Sequence, residues 1–120
     1  MSIRIHHVSI LVSDTAGALR FYRDLLGIAE TQRPDLGFPG AWLQLGGQQI
    51  HLLELPNPDP ASGRPAHGGR DRHLALTSDN LEALTERLER AGVACTRSRS
   101  GRAAIFCRDP DGNAVEIIGT

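Results

Sequence analysis

Hydrophobic and polar residues alternate along the start of the chain, switch to a helical period, and alternate again, and the whole pattern then recurs. Over residues 4–12, Val8, Ile10 and Val12 fall on one side and His7, Ser9 and Leu11 on the other, the period of two expected of a strand. Asp14 stands where a helix N-cap belongs. Leu19, Tyr22 and Leu26 follow at helical spacing, widened by Ala18, Phe21 and Leu25, and Gly27 ends the stripe. In the second half Asp79-Asn-Leu-Glu82 has the form of a capping box, Leu81, Leu84, Leu88 and Ala91 make the stripe, and Gly92 stops it. Each helix is followed by three strand-like runs, at about 28–33, 41–45 and 49–55, and then at about 93–98, 102–107 and 114–118. Gly46-Gly47 and Asp109-Pro-Asp-Gly112 are the turns between the last two runs of each half.

The chain therefore predicts an α+β fold of two tandem βαβββ modules in one domain spanning 1–120. Module 1 covers about 1–56 and module 2 about 72–120. The stretch between them, about 57–71, is rich in proline and glycine and too poor in apolar residues to hide another element. The repetition extends to wording. His7-Val-Ser-Ile-Leu-Val-Ser-Asp14 is answered by His73-Leu-Ala-Leu-Thr-Ser-Asp79, and thirteen positions separate each aspartate from its glycine, Gly27 or Gly92. Gly47-Gln-Gln-Ile-His51 is answered by Gly112-Asn-Ala-Val-Glu116. Aligning the halves sets His7 over His73 and His51 over Glu116, and fixed-offset similarity of this kind decides architecture before any local signal does.

Strand parity turns the repeat into a candidate site. Val8, Ile10 and Val12 lie opposite His7, and Leu74 and Leu76 opposite His73. Val115 and Ile117 face away from Glu116, as Ile50 and Leu52 do from His51. The apolar face is the one a helix covers, so the four polar residues share the other, beside the small Ser9, Ala75 and Thr77. Three imidazoles and a carboxylate suit one borderline divalent ion, Zn²⁺, Ni²⁺, Fe²⁺, Co²⁺ or Mn²⁺. Glu54 falls on the opposite face from His51 and reads as solvated. His6 points away from His7.

Composition narrows the partners. With 40% hydrophobic and 22% charged residues and a net charge of −1, the chain is ordinary for a globular protein and has no electrostatic footprint for nucleic acid or a membrane surface. Met-Ser-Ile-Arg-Ile lacks the apolar core of a signal peptide, and no run approaches the roughly 20 apolar residues that span a bilayer. The expected setting is cytoplasmic. Cys95 and Cys107, in strand-like segments without Cys-x-x-Cys spacing, read as reduced thiols that pack like small hydrophobes.

Paired βαβββ modules with His7 in the first strand, His51 before Leu-Leu-Glu, His73-Leu-Ala-Leu, and Asp109-Pro-Asp-Gly-Asn-Ala-Val-Glu116 resemble the vicinal oxygen chelate superfamily, and Phe21-Tyr-Arg-Asp-Leu-Leu-Gly27 adds to the likeness. The superfamily includes glyoxalase I, methylmalonyl-CoA epimerase, extradiol dioxygenases, fosfomycin-resistance transferases and bleomycin-binding proteins. The resemblance implies a curved mixed sheet around a metal-binding cleft, a metal held by His7, His51, His73 and Glu116, a small-molecule substrate that chelates it through two oxygens, and a homodimer. It leaves the reaction open. In a lyase or isomerase of glyoxalase type, Glu116 takes the proton next to a polarised carbonyl, and His51 stands where glyoxalases carry a second glutamate or a glutamine. In a dioxygenase of extradiol type, His7, His73 and Glu116 hold Fe²⁺ and His51 becomes a base beside it. In a binding protein of the bleomycin-resistance kind there is no catalysis. Arg70 and Arg72, just before His73, are candidates for a substrate anion, and Trp42 and Ser9 for the wall of the pocket. The stretch from Arg97 to Arg102 reads as a solvated hairpin turn, also placed to contact an anionic thiol conjugate.

Overall fold

In the computed structural model, which describes residues 1–120, the first strand of each half pairs in parallel with the last, and the middle strands continue the sheet antiparallel. The chain divides into two units, Met1–Asp59 and Pro60–Thr120. The first contains β1 (His7–Val12), β2 (Ala29–Thr31), β3 (Gly40–Leu45) and β4 (Gln48–Glu54) in the order β1-β4-β3-β2. The second contains β5 (His73–Ser78), β6 (Thr96–Arg97), β7 (Ala104–Arg108) and β8 (Ala114–Gly119) in the order β5-β8-β7-β6. Both sheets are mixed and each has one helical segment, so the α+β reading and the repeated βαβββ order stand. No helix is long and apolar enough to cross a membrane.

The helices are built as the spacing requires, with three local differences. Helix α1 (Thr15–Leu19) starts at Asp14, whose carboxylate accepts from Gly17 N at 3.2 Å. It continues as a π-helical turn over Arg20–Leu25, in which Leu26 N–H reaches back five residues to the Phe21 carbonyl. The wider turn puts Phe21 and Tyr22 side by side in the core, leaving Leu25 and Leu26 half-buried. Helix α2 (Leu81–Arg90) is capped by Asn80, which accepts from Ala83 N at 3.2 Å, and not by Asp79 as the capping-box spacing suggested. Leu84 and Leu88 carry its buried face. Ala91 is exposed, because the helix has already ended.

Strand parity holds in both sheets. Ile50 and Leu52 in β4, and Val115 and Ile117 in β8, are buried on the helix-facing side. Glu54 is on that side too, but it is not simply solvated: its Oε1 accepts from Thr15 N at 2.8 Å and so satisfies an N–H at the start of α1 that the helix itself leaves unpaired. The shorter β6 leaves Cys95 outside any strand, half-buried, while Cys107 is buried in β7. Both thiols are free. Burial pushes Cys107 up to about 12 and also raises Cys95, which keeps both as unreactive thiols. The proline-rich stretch does contain one short element, a 3₁₀ turn at Gly68–Arg70. Gly68 fits there because a side chain would press on Ala114 and Phe106.

Candidate metal centre

Register brings the four sequence-predicted ligands together in two pairs, one in each unit. In the first unit His7 sits opposite Gln49 and His51 opposite Ser9, so the two imidazoles are diagonal neighbours on one face of β1 and β4. In the second, His73 sits opposite Ala114 and Glu116 opposite Ala75, the same diagonal on β5 and β8. The third strand adds an aromatic to each row: Trp42 is opposite His51, and Phe106 opposite Glu116. Within each unit the candidate ligands stay in twos, and no group of three or more metal-binding side chains forms.

In the second pair the sense of the contact depends on what lies between the two atoms. His73 Nδ1 lies 2.9 Å from the Asp71 carbonyl, which only accepts, so the ring's proton is on Nδ1. Without a second proton on the ring, the Nε2 lone pair faces Glu116 Oε1 at 3.3 Å, acceptor against acceptor. Such an approach calls for a cation between the two atoms, either a second proton on the ring or a metal. The spacing suits a metal, since two donors each about 2.0–2.2 Å from one ion at a tetrahedral angle are about 3.4 Å apart. Glu116 is only 2% exposed, and its other oxygen, Oε2, accepts from Arg102 Nη2 at 3.2 Å. Phe106 closes the side of this pair, edge-on to His73 with ring centroids 5.1 Å apart.

The first pair is a stack. His7 and His51 lie 4.0 Å apart with planes 16° from parallel, and Trp42 covers the other side of His51 at 4.1 Å and 5°. His51 is buried, and burial first, then the positive charge that His7, His6 and Arg33 can carry, lowers its pKa below the ordinary imidazole value. It is therefore a neutral ring near pH 7. His6 does not point away as strand alternation suggested: it precedes the strand, and its Nδ1 meets His7 Nδ1 at 2.9 Å.

The substrate-side candidates are distributed unevenly. Trp42 is half-buried against His51, and Ser9 is exposed on the same face of the sheet. Arg70 and Arg72 are exposed beside His73. The strongest ionic contacts belong instead to Asp71, between them. Its nearly buried carboxylate binds Arg64 at 3.0 Å and Arg108 at 2.8 Å, and Arg108 also donates to the Gly112 carbonyl at 2.7 Å. This ties the loop before His73 to the turn before Glu116. The hydrogen bond from Arg108, ahead of the bond from Arg72 N–H and the charge of Arg64, holds the Asp71 carboxyl below the usual carboxylate range. A depressed carboxylate contributes stability above its unfolded value of about 3.9 and loses it as pH falls through the folded value. Asp71→Asn is expected to cost about 1–2 kcal/mol at pH 7 and less below pH 4, measured by urea unfolding at both pH values.

Arg102, Gln49 and Phe106 are the contacts that the sequence pattern did not single out. Two had a legible signal: Gln49 is two residues from His51 on one strand face, and Phe106 occupies the position in β7 that Trp42 has in β3. Arg102 belongs to the turn read as solvated. It is exposed, but it is also the ion partner of Glu116.

With this geometry in view, the chain's relatives are informative. Residues 4–117 match the family model of the Glyoxalase/Bleomycin resistance protein/Dioxygenase superfamily, and the chain belongs to that family. It is 32% identical over 119 residues to Glyoxylase I 4 of Arabidopsis thaliana, covering 94% of this chain and 68% of the relative. It is 27% identical to the lactoylglutathione lyase of Haemophilus influenzae, covering 97% of this chain and 92% of the relative. Among solved structures, a glyoxalase/dioxygenase from Nostoc punctiforme has the same fold with a TM-score of 0.76, at 24% identity over 95% of this chain and 88% of the other.

Proposed function

We propose that the protein is a divalent-metal-dependent lyase or isomerase of the glyoxalase I type, moving a proton on the carbon next to a carbonyl of a small substrate such as a thiol hemithioacetal. The observation that carries this reading is the approach of His73 Nε2 to Glu116 Oε1 at 3.3 Å, a spacing that suits two donors to one ion, on a buried carboxylate that matches a repeated position in the other half. The ligand set is drawn from His7, His51, His73 and Glu116. A divalent ion held there would polarise a substrate carbonyl and stabilise negative charge on its oxygen.

The chain's own residues do the rest. Glu116 accepts the proton. Its Oε2 is the oxygen for this, because its one ion partner, Arg102, is 57% exposed at the side chain and free to turn toward an anionic substrate. Arg70 and Arg72 offer two further cations on the approach to His73. Trp42 and Phe106 exclude water from the inner side of each pair.

A second reading, an Fe²⁺ dioxygenase held by His7, His73 and Glu116, is favoured by the burial of His51 between His7 and Trp42. One experiment separates the two. Protein purified without added metal is analysed for metal content, then reconstituted with Ni²⁺, Zn²⁺ or Fe²⁺ and assayed with a methylglyoxal–thiol hemithioacetal and with a catechol. Hemithioacetal turnover with Ni²⁺ or Zn²⁺ is the expected result. Catechol cleavage with Fe²⁺ alone would replace the first reading by the second, and no metal uptake with no turnover would leave a binding protein.

A further inference from the structure

One side chain joins three stretches of backbone around the second pair. In the register of the second sheet Arg108, Ala114 and His73 form a row across β7, β8 and β5, so guanidinium and imidazole rise from the same face with only a methyl group between them. At about 4.8 Å per strand their backbones are about 10 Å apart, and the loop before His73 crosses that gap. Gly68 lies over Ala114, where an added Cβ would come within 3.2 Å of the alanine methyl, so the loop is seated directly on the row.

Arg108 holds this loop at both ends. Its Nη2 donates to the Pro65 carbonyl, and its Nη1 donates to Asp71 Oδ2 at 2.8 Å and to the Gly112 carbonyl at 2.7 Å. Pro65 and Asp71 bracket the 3₁₀ turn, and Gly112 belongs to the turn that leads into β8. That second turn is itself braced, because Asp109 Oδ1 accepts from the N–H groups of Asp111 and Asn113, both at 2.9 Å. The loop is therefore fastened to a fixed point. Three acceptors in different directions need donors on two nitrogens of a planar fork, which an ammonium on a flexible stem does not present.

What is held there bears on His73. Its side chain is 27% exposed, so packing alone holds the ring weakly, and the 2.9 Å contact of Nδ1 with the Asp71 carbonyl turns Nε2 toward Glu116. Asp71 thus gives its carbonyl to His73 and its carboxylate to Arg108. Arg64 binds the same carboxylate at 3.0 Å without reaching across to the turn.

Resting on the metal-dependent reading above, we infer that Arg108 is the positioning residue of the second pair: through Asp71 it fixes the ring of His73 with Nε2 toward the ion, and through the Gly112 carbonyl it fixes the start of the strand that carries Glu116. Arg64 steadies the loop without orienting the ring.

Three variants test this by ¹⁵N-histidine NMR of the metal-free protein at alkaline pH, where histidine rings are neutral. The parent is expected to show His73 as the Nδ1–H tautomer. Arg108→Lys keeps the charge and loses the fork, and Asp71→Asn weakens the same link from the other end; each is expected to release His73 to a mixture of tautomers. Arg64→Met is expected to leave the tautomer unchanged. By calorimetry with Zn²⁺, Arg108→Lys is expected to lose about 10–100-fold in affinity, the range for removing a group that orients a ligand, and Arg64→Met less than about threefold. A contribution to folding alone would lower the urea midpoint of the variants and leave the His73 tautomer as in the parent, and that result overturns the inference. Equal effects of Arg108→Lys and Arg64→Met on the tautomer overturn it too. Asp71→Asn decides the matter by itself where Arg108→Lys does not fold. If the parent takes up no Zn²⁺, the reading under Proposed function fails, while the response of the His73 tautomer still decides what Arg108 does.

Discussion

Glu116→Gln is expected to lower kcat/KM for a hemithioacetal by about 10²–10⁴-fold, the range for loss of a positioned proton acceptor. The substitution keeps size and shape but removes the negative charge. Three consequences follow from the contacts of Glu116: His73 Nε2 loses the anion it faces at 3.3 Å, Arg102 loses its ion partner at 3.2 Å, and the proposed ligand set becomes one charge more positive. Steady-state kinetics with metal content measured on the same sample separates lost metal from lost proton transfer. A variant that keeps its metal and falls in kcat has lost the base. Activity within a few-fold of the parent would remove Glu116 from the chemistry altogether.

The largest effect on stability is expected of Leu88→Ala, at about 2–5 kcal/mol. Leu88 is completely buried on α2, the helix that packs against β8. Its side chain fills space between that helix and the strand whose opposite face carries Glu116, so truncation leaves a cavity that a close-packed sheet does not collapse to fill. Against a total of about 5–15 kcal/mol for an ordinary domain, this is a large fraction. Urea unfolding by circular dichroism is expected to show a lower midpoint with an unchanged slope, the mark of altered stability without an altered unfolded state. A shift under about 0.5 kcal/mol would mean that the helix contributes little to the unit's core.

Much of this is legible in the sequence, and for physical reasons. Period two in β1, β4, β5 and β8 sorts side chains onto opposite faces, and a backbone in a sheet has no freedom to violate it, so His7, His51, His73 and Glu116 could be assigned a face from spacing alone. Pairing of His7 with His51, and of His73 with Glu116, comes from the parallel register of the outer strands, which spacing alone does not give. What spacing does not carry is direction within a face. The stack of His7, His51 and Trp42 depends on side-chain torsions, as does the 2.7 Å contact of His51 Nε2 with Gln49 Oε1. Helix ends were misjudged where two capping residues stand side by side, as Asp79 and Asn80 do, because either side chain can reach a free N–H. Arg102 was read as solvated since a turn rich in serine, glycine and arginine ordinarily is. Its contact with Glu116 comes from where β6 ends and β7 begins.

The ring against His51 has a practical side. Trp42 is the chain's single tryptophan, and it stacks directly on His51. Indole emission from this protein is therefore a local signal, reporting the first unit's imidazole stack. Titrating metal or substrate while following that emission reads one half of the proposed centre without labels, and replacing Phe106 by tryptophan in a Trp42→Phe background would move the same optical reporter to the other half.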